Sequence, residues 1–267
     1  MAGTLHYARQ GAGEPLVLLH GSGSYGAVWD PVLDILAAQR DVIVLDLPGH
    51  GQSPLLDNGN SVSPIGNART VAAFLDDLGL ETAHLAGNSS GAWTALELAK
   101  LGRARSVTAL APAGLWKRES PAFDAVTFRL SMAAAELARP VLPALASSAL
   151  GRTLMLGQFV GRPWRMQPDE ASGIVANLVT STGIREHLEA TRRERFQGGH
   201  GITVPVTVAW PERDWILLSF QSQHRDELPA HTRLLELRGC GHVPMYDDLL
   251  AVAQVLLEGS ASSVSVL

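Results

Sequence analysis

The stretch ETAHLAGNSSGAWTALELAKLG, residues 81–102, decides the fold that we predict for this chain. Its short apolar run, AHLA, leads into GNSSG at 87–91, and an Ala/Leu-rich run of helical character follows. Gly, Asn and Ser are ordinary turn residues, so a plain loop is one interpretation. The other is a tight strand-to-helix elbow that presents Ser89 as a nucleophile. Because Gly-x-Ser-x-Gly also arises by chance, its context along the chain has to decide between them.

Short, continuously apolar runs recur on both sides of this stretch. They are PLVLLHG at 15–21, DVIVLDLPGHG at 41–51, SVTALAPAG at 106–114, VPVTVAWPERD at 204–214 and HTRLLELRGCGH at 231–242. Such runs indicate strands buried on both faces, as in a parallel sheet. Helical patterns alternate with them over 63–80, 92–102 and 245–259, where Pro64 suits a first helical position and Gly79 a helix end. This alternation predicts an α/β fold with a doubly wound, mostly parallel sheet.

The alternation stops between about Trp116 and Gly199, where helical segments are punctuated by prolines and strand-like runs are absent. We therefore predict a core formed by residues 1–114 and 200–267, with a helical lid inserted over 115–199. Ordinary helix packing accounts for many of its large apolar side chains, but their abundance also suits the roof of a pocket. These side chains are Trp116, Phe123, Phe128, Met132, Leu154, Met155, Phe159, Trp164 and Met166.

Composition and charge exclude several classes of function. The chain has 267 residues, is 46% hydrophobic and carries a net charge of -5, so it lacks the basic face that nucleic acids require. Its arginine-rich run, RRER at 192–195, includes a glutamate and indicates a solvated helix face. One cysteine, no signal-peptide pattern and no apolar run of about 20 residues together predict a cytoplasmic protein without a membrane span.

Metal and cofactor chemistry find little support in the sequence. The nine histidines are scattered without a His-x-x-x-His pair, and no dinucleotide-binding fingerprint is present. EHLE around His187 indicates a helix surface, and Cys240 suits a buried spectator thiol. We therefore predict no metal and no cofactor.

Serine-type acyl transfer needs a hydroxyl, a base, an acid that orients the base, and donors for an oxyanion. Ser89 supplies the hydroxyl, and the backbone N–H of Ser90 supplies one oxyanion donor. The HGSGS loop at 20–24 supplies the second donor, for which we choose Ser22, with Gly21 and Gly23 as alternatives. His20 belongs to the scaffold of this loop.

The acid and the base follow the last two predicted strands. Asp214 ends VPVTVAWPERD, where ligands collect at a sheet edge, and Glu212 is its nearest competitor. His242 lies in GCGHVP, 28 residues further on, and we expect Gly239 and Gly241 to give it room to swing over Ser89. The order Ser, Asp, His along the chain suits this sheet topology.

Five motifs together resemble the α/β-hydrolase fold family, and the resemblance covers nearly the whole chain. They are HGSGS, DLPGHGQS at 46–53, GNSSG, WPERD at 210–214 and GCGHVPMYDD at 239–248. The resemblance implies Ser89 as nucleophile, His242 as base and Asp214 as orienting acid, with the amides of Ser22 and Ser90 as the oxyanion hole.

The function that the resemblance implies is a serine hydrolase acting on a small hydrophobic substrate. It would cleave an ester-type bond (carboxylester, lactone or thioester) through an acyl-enzyme on Ser89. Two alternatives stay open: a carbon–carbon bond hydrolase of a vinylogous diketone with the same triad, and a small-molecule receptor or non-hydrolytic member of the fold. Haloalkane cleavage would need a carboxylate at position 89.

Overall fold

The computed structural model describes residues 5–55, 62–117, 122–192 and 194–261. Its sheet contains seven strands: β1 Tyr7–Gly11, β2 Pro15–Leu19, β3 Asp41–Leu45, β4 Ala83–Asn88, β5 Ala104–Leu110, β6 Val206–Pro211 and β7 Arg233–Leu237. Their order in the sheet is β1-β3-β2-β4-β5-β6-β7. The β1–β3 pair is antiparallel and the other neighbouring strands are parallel, which confirms the predicted fold class.

Helices cover both faces of this sheet. The described α-helices are α1 Asp30–Ala37, α2 Pro64–Asp77, α3 Ser90–Lys100, α4 Ala122–Ala138, α5 Leu142–Ser147, α6 Ala149–Leu156, α7 Pro168–Thr180, α8 Ile184–Thr191, α9 Ser219–Ser222 and α10 Leu249–Gly259. Alternate strand residues enter two separate cores: Val17 packs in the core that includes α2 and α3, and Leu18 in the core that includes α1 and α10. No described helix combines the length and the apolar character that crossing a bilayer requires.

The two edge strands differ from the sequence prediction. The sequence pattern missed β1, because all five residues of YARQG are exposed and carry no apolar run. The prediction that β7 is buried on both faces is wrong: Arg233, Leu234 and Glu236 are exposed, since this strand pairs on one side only. The central strands β3, β4 and β6 are buried throughout, as predicted.

Side-chain caps set where the helices begin. Ser63 accepts a hydrogen bond from the Gly66 amide and Pro64 occupies the first position of α2, while Gly79 follows its end at φ +70°. The last helix begins four residues later than the predicted position 245, because the Asp248 carboxylate caps it at the Ala251 amide.

The chain between β5 and β6 contains α4 to α8, and we call Ala122–Thr191 the helical segment. It contacts loops that follow the carboxyl ends of the strands: the Gly183 amide donates to the Gly49 carbonyl at 2.9 Å, and the Val243 amide to the Phe159 carbonyl at 2.8 Å. The helical segment therefore lies over the edge of the sheet where the predicted site residues follow their strands. The predicted helix face at RRER is wrong, since α8 ends at Thr191 and the Glu194 carbonyl binds the Trp116 indole; Arg193 lies outside the described residues.

Candidate active site

Ser89 occupies a strained turn between β4 and α3. Its φ of 57° and ψ of -119° lie in a region of backbone conformation that residues other than glycine rarely adopt. The surrounding backbone holds this conformation, because the Ser89 amide donates to Leu110 and its carbonyl accepts from the amides of Ala92 and Ala113. The strand-to-helix elbow expected from GNSSG is thus the observed local structure.

The two glycines that flank Ser89 permit a close approach of backbones. A Cβ at Gly87 would lie 2.3 Å from the Gly91 carbonyl carbon, and one at Gly91 would lie 2.3 Å from the Leu19 carbonyl oxygen. Contacts this short do not occur between real atoms, so β4, α3 and the end of β2 can meet only where side chains are missing.

His242 is paired with Asp214. Its Nδ1 lies 2.8 Å from Asp214 Oδ2, and both side chains are buried. Because a carboxylate accepts, Nδ1 carries the hydrogen and Nε2 is left as the basic nitrogen. The other carboxylate oxygen accepts from the amides of Ile216 and Leu217, which fixes the acid in place.

Glu212, the competing acid, does not contact the histidine side chain. Its Oε2 instead accepts a hydrogen bond from the Gly239 amide at 2.6 Å, in the loop that leads to His242. The structure therefore brings Asp214, and not Glu212, next to the imidazole.

Asn88 is a residue of this site that sequence reasoning missed. Its Nδ2 donates to the His242 carbonyl at 2.9 Å and to the Leu110 carbonyl at 3.3 Å. This amide joins the residue before Ser89 to the backbone of the proposed base. A polar side chain at the end of a buried strand needs hydrogen-bond partners. The asparagine in GNSSG could therefore have been predicted to bond nearby backbone.

The loop that carries His242 is packed tightly against the helical segment. A Cβ at Gly241 would lie 2.5 Å from the Gly161 amide, and Asp247 Oδ2 accepts from the amides of both these glycines. A Cβ at Gly239 would lie 2.6 Å from the Arg162 guanidinium. The expected room for His242 to swing is therefore absent, and these glycines serve close packing.

Ser22 and Ser90 meet beside Ser89. Their hydroxyls are hydrogen-bonded at 3.0 Å, and both residues line the same cavity as Ser89. Ser90 is the first residue of α3, where no earlier carbonyl of the helix accepts the backbone amide. The positive end of the helix dipole also favours negative charge there.

Two cavities lie between the helical segment and the sheet edge. The Ser89 cavity has a volume of about 340 Å³ and is lined by Ser89 and His242 together with Trp93 and Trp116. The helix-lined cavity, of about 580 Å³, is mostly apolar, and Ser22, Ser24 and Val243 line both cavities.

The large apolar side chains predicted for a lid are divided among different surroundings. Leu154, Met155 and Phe159 line the helix-lined cavity, and Trp116 lines the Ser89 cavity. Met166 is buried among the helices of the segment itself. The side chains of Phe123 and Phe128 lie outside the described part of the chain.

Three buried histidines pack next to one another: the ring centroids of His20 and His50 are 5.3 Å apart, and those of His50 and His187 are 6.4 Å apart. His20 donates from Nδ1 to the Gly21 carbonyl and accepts the Leu47 amide at Nε2, and burial lowers its pKa to about 3. His50 donates to the Pro48 carbonyl within its turn, and burial lowers its pKa as well. These bonds make both imidazoles neutral parts of the scaffold, which is the role that the sequence led us to expect for His20.

His187 corrects a sequence prediction. We expected EHLE to be a helix surface, but the residue is 3% exposed and lines the Ser89 cavity. The spacing of apolar residues predicts only which face of a helix packs on the core. Tertiary packing also buries the face of α8 that carries His187. His187 is therefore a candidate substrate contact.

The remaining titratable groups do not add a metal or thiol site. In the described residues, no group of three or more His, Cys, Asp or Glu side chains suits a metal ion. Cys240 is 1% exposed, and burial raises its pKa to about 12, so its thiol is not a nucleophile at neutral pH.

The sheet, the elbow and the paired imidazole and carboxylate define an enzyme of the hydrolase class. The model of the alpha/beta hydrolase family matches residues 16–255, and the chain belongs to this family. Epoxide hydrolase EphH from Mycobacterium tuberculosis is 37% identical over 184 residues, which are 66% of this chain and 85% of that relative.

Solved structures of similar fold include two hydrolases. A thermophilic esterase from Thermogutta terrifontis has a TM-score of 0.75 at 19% identity, over 97% of this chain and 96% of that one. The enol-lactonase from Burkholderia xenovorans LB400 has a TM-score of 0.74 at 21% identity, over 95% of each chain. At these identities the likeness concerns the fold.

Proposed function

We propose that the chain is a serine hydrolase that cleaves an ester-type bond (a carboxylester, lactone or thioester) of a small hydrophobic substrate. The observation that carries this proposal is the placing of Ser89 on a strained elbow in the cavity that His242 also lines, with Asp214 bonded to the far side of that imidazole. A strained nucleophile, a base and an orienting acid are the parts that acyl transfer needs.

The reaction proceeds through an acyl-enzyme. His242 Nε2 takes the proton of Ser89 Oγ while the oxygen attacks the carbonyl carbon. The imidazolium then gives this proton to the leaving oxygen or sulfur, and the acyl group stays on Ser89. Water attacks the acyl carbon as His242 takes its proton, and the imidazolium returns this proton to Ser89 Oγ as the acid is released. Asp214 keeps the imidazole in the required tautomer throughout.

The oxyanion accepts hydrogen bonds from the backbone amides of Ser22 and Ser90. The bond between their hydroxyls, at 3.0 Å, holds the HGSGS loop against the first turn of α3. Two preorganised donors of this kind each contribute a factor of roughly 10² to 10³ to the rate of such reactions.

The helical segment acts as a cap whose interior receives the hydrophobic part of the substrate. The helix-lined cavity supports this part of the proposal, because it is mostly apolar and shares Ser22, Ser24 and Val243 with the Ser89 cavity. We accordingly propose residues 115–199 as the cap and residues 1–114 with 200–267 as the core. The single cysteine suits a reducing compartment, so we extend the proposal to a cytoplasmic location.

Epoxide opening is a second candidate, because the relative at 37% identity is named an epoxide hydrolase. The chemistry at position 89 argues against it. A serine that opens an epoxide becomes an ether, which activated water does not cleave, whereas an acyl serine has a carbonyl carbon that water can attack. Cleavage of a vinylogous diketone, by contrast, uses the same acyl chemistry and stays an alternative.

A substrate panel on the purified protein tests the proposal. The panel contains p-nitrophenyl esters of graded length, a lactone, a thioester, a vinylogous diketone and styrene oxide. We expect ester-type hydrolysis, its loss in Ser89→Ala with an unchanged circular dichroism spectrum, and covalent labelling of Ser89 by a fluorophosphonate. Hydrolysis that persists in Ser89→Ala would refute the assignment, and folded protein that neither reacts nor labels would favour a receptor.

A further inference from the structure

His187 lines the Ser89 cavity, and only one of its two ring nitrogens is hydrogen-bonded to a described residue. The residue belongs to α8 and lines this cavity together with Ser89 and His242. Its Nδ1 lies 2.7 Å from the Val62 carbonyl oxygen. A carbonyl only accepts, so Nδ1 carries the ring hydrogen and Nε2 presents a lone pair.

The surroundings keep the imidazole of His187 neutral and fixed. Burial, followed by the nearby His50, lowers the pKa of His187 to about 4, so Nε2 is unprotonated at neutral pH. The His50 ring stands at 89° to it, with centroids 6.4 Å apart, and limits its rotation. No described residue donates a hydrogen bond to Nε2.

Arg129 and Arg192 also line the Ser89 cavity, but no hydrogen bond joins either guanidinium to His187 within the described residues. Leu188, Ile216 and Leu217 are apolar, and the Thr191 hydroxyl already donates to the His187 backbone carbonyl at 2.8 Å. A ligand hydroxyl at this wall would give Nε2 a donor inside a mostly apolar cavity, where a hydrogen bond is stronger than it is in water.

We propose that His187 Nε2 accepts a hydrogen bond from a hydroxyl group of the bound substrate, so that the preferred esters carry a free hydroxyl. His187 is then a specificity residue: it contacts substrate and takes no part in the proton transfers between Ser89 and His242. This inference rests on the proposed ester hydrolase activity.

The test compares ethyl hexanoate with the five ethyl monohydroxyhexanoates that carry the hydroxyl at carbons 2 to 6. Acid release gives kcat/KM for the wild-type protein, His187→Phe, His187→Gln and the control His200→Phe, whose side chain is exposed and bears no bond within the described residues. Each hydroxy ester is expressed relative to ethyl hexanoate within one variant. Differences in the intrinsic reactivity of the esters cancel when this ratio is compared between variants. A general loss of folded protein lowers the rates of both esters equally and leaves the ratio unchanged.

We expect the wild-type protein to favour at least one hydroxy isomer, and His187→Phe to reduce that relative preference by about threefold to tenfold while it still hydrolyses ethyl hexanoate. His187→Gln should retain part of the preference, since its amide can bond Val62 and leave an oxygen as acceptor. A wild-type protein without preference, or a preference that survives in both variants, overturns the inference. Failure of every ester, with Ser89 unlabelled, would instead count against the proposed function.

Discussion

Asn88 shows at the scale of one residue how the two halves of the site are aligned. The residue precedes the proposed nucleophile, and its side-chain amide bonds the backbone carbonyl of the proposed base at 2.9 Å. This side-chain amide joins two parts of the site that lie far apart along the chain. A shift of about 1 Å between a nucleophile and its base can cost a factor of about 10² in rate.

Replacing Asn88 by Ala should therefore lower kcat for ester hydrolysis by about tenfold to a hundredfold. The free energy of unfolding should fall by about 1–3 kcal/mol, because two buried carbonyls lose a donor. Steady-state kinetics and urea denaturation measure the two effects. Gln10→Ala, which removes a side-chain amide bonded to Asp34 at the far edge of the sheet, is the control and should leave kcat unchanged. Equal kcat values for the two variants would show that Asn88 does not align Ser89 with His242.

Gly91 gives a second prediction at this scale. A Cβ there would lie 2.3 Å from the Leu19 carbonyl oxygen and 2.4 Å from that of His20. Gly91→Ala should thus push α3 away from β2, lower the free energy of unfolding by about 1–3 kcal/mol or more, and reduce activity with it. In Gly201→Ala the new Cβ meets nothing within 4 Å, so thermal melting of this variant should match the wild type. A Gly91→Ala protein that melts with the wild type would contradict the close approach.

At the scale of elements, the sequence predicted what burial and spacing encode locally. The central strands β3 and β4 are buried along their whole length, as their mostly apolar sequences predict, and Ser63, Pro64 and Gly79 mark the ends of α2. The exposed edge strand β1 has no such pattern, and it was missed. The contact between Asp214 and His242 could be expected from the sequence, because parallel strands deliver their carboxyl ends to one edge of the sheet.

The helical segment was predictable in kind but not in detail. Periodicity shows which face of a helix is apolar, but not which neighbouring helix or cavity that face meets. Met155 and Met166 have similar chemistry, yet the first lines the helix-lined cavity and the second packs among helices. His187 was misjudged for the same reason.

The helix-lined cavity leads to a prediction about acyl chain length. Ala135 of α4 is buried and lines this cavity, whereas its neighbour Ala133 is exposed and does not. Ala135→Leu should lower kcat/KM for p-nitrophenyl octanoate relative to the acetate by about tenfold, because added methyl groups displace buried methylenes of the chain. Ala133→Leu, the same change on the other face, should leave this ratio unaltered. If Ala135→Leu and Ala133→Leu give the same ratio of octanoate to acetate hydrolysis, the octanoyl chain does not bind in this cavity.

At the scale of the whole molecule, the helical segment and the sheet form one site through the loop that carries His242. Asp247 accepts amides from both Gly161 and Gly241, and Val243 donates to Phe159. Displacing the segment would break the bonds that hold this loop. We therefore expect substrate access to depend on openings beside the helices more than on a wide movement of the whole helical segment.

Buried histidines make the stability of the whole molecule depend on pH. Burial lowers the pKa of His20 to about 3 and that of His187 to about 4, whereas an exposed imidazole titrates near 6.5. Between these values the unfolded chain binds protons that the folded chain does not, so acid favours unfolding. The stabilisation is complete above about pH 6.5 and is lost progressively as the pH falls towards 4.

We predict that the free energy of unfolding, measured by urea denaturation at pH 7, 6, 5 and 4.5, decreases with falling pH in the wild-type protein. His187→Phe removes one of these protons, and its slope should be shallower by up to about 1.4 kcal/mol per pH unit. His200→Phe makes the same substitution at an exposed histidine that bonds no described residue, and it is the control whose slope should stay close to that of the wild type. Parallel slopes for all three proteins would mean that His187 takes up its proton in the folded protein over the same pH range as in the unfolded chain, and would contradict a pKa lowered by burial.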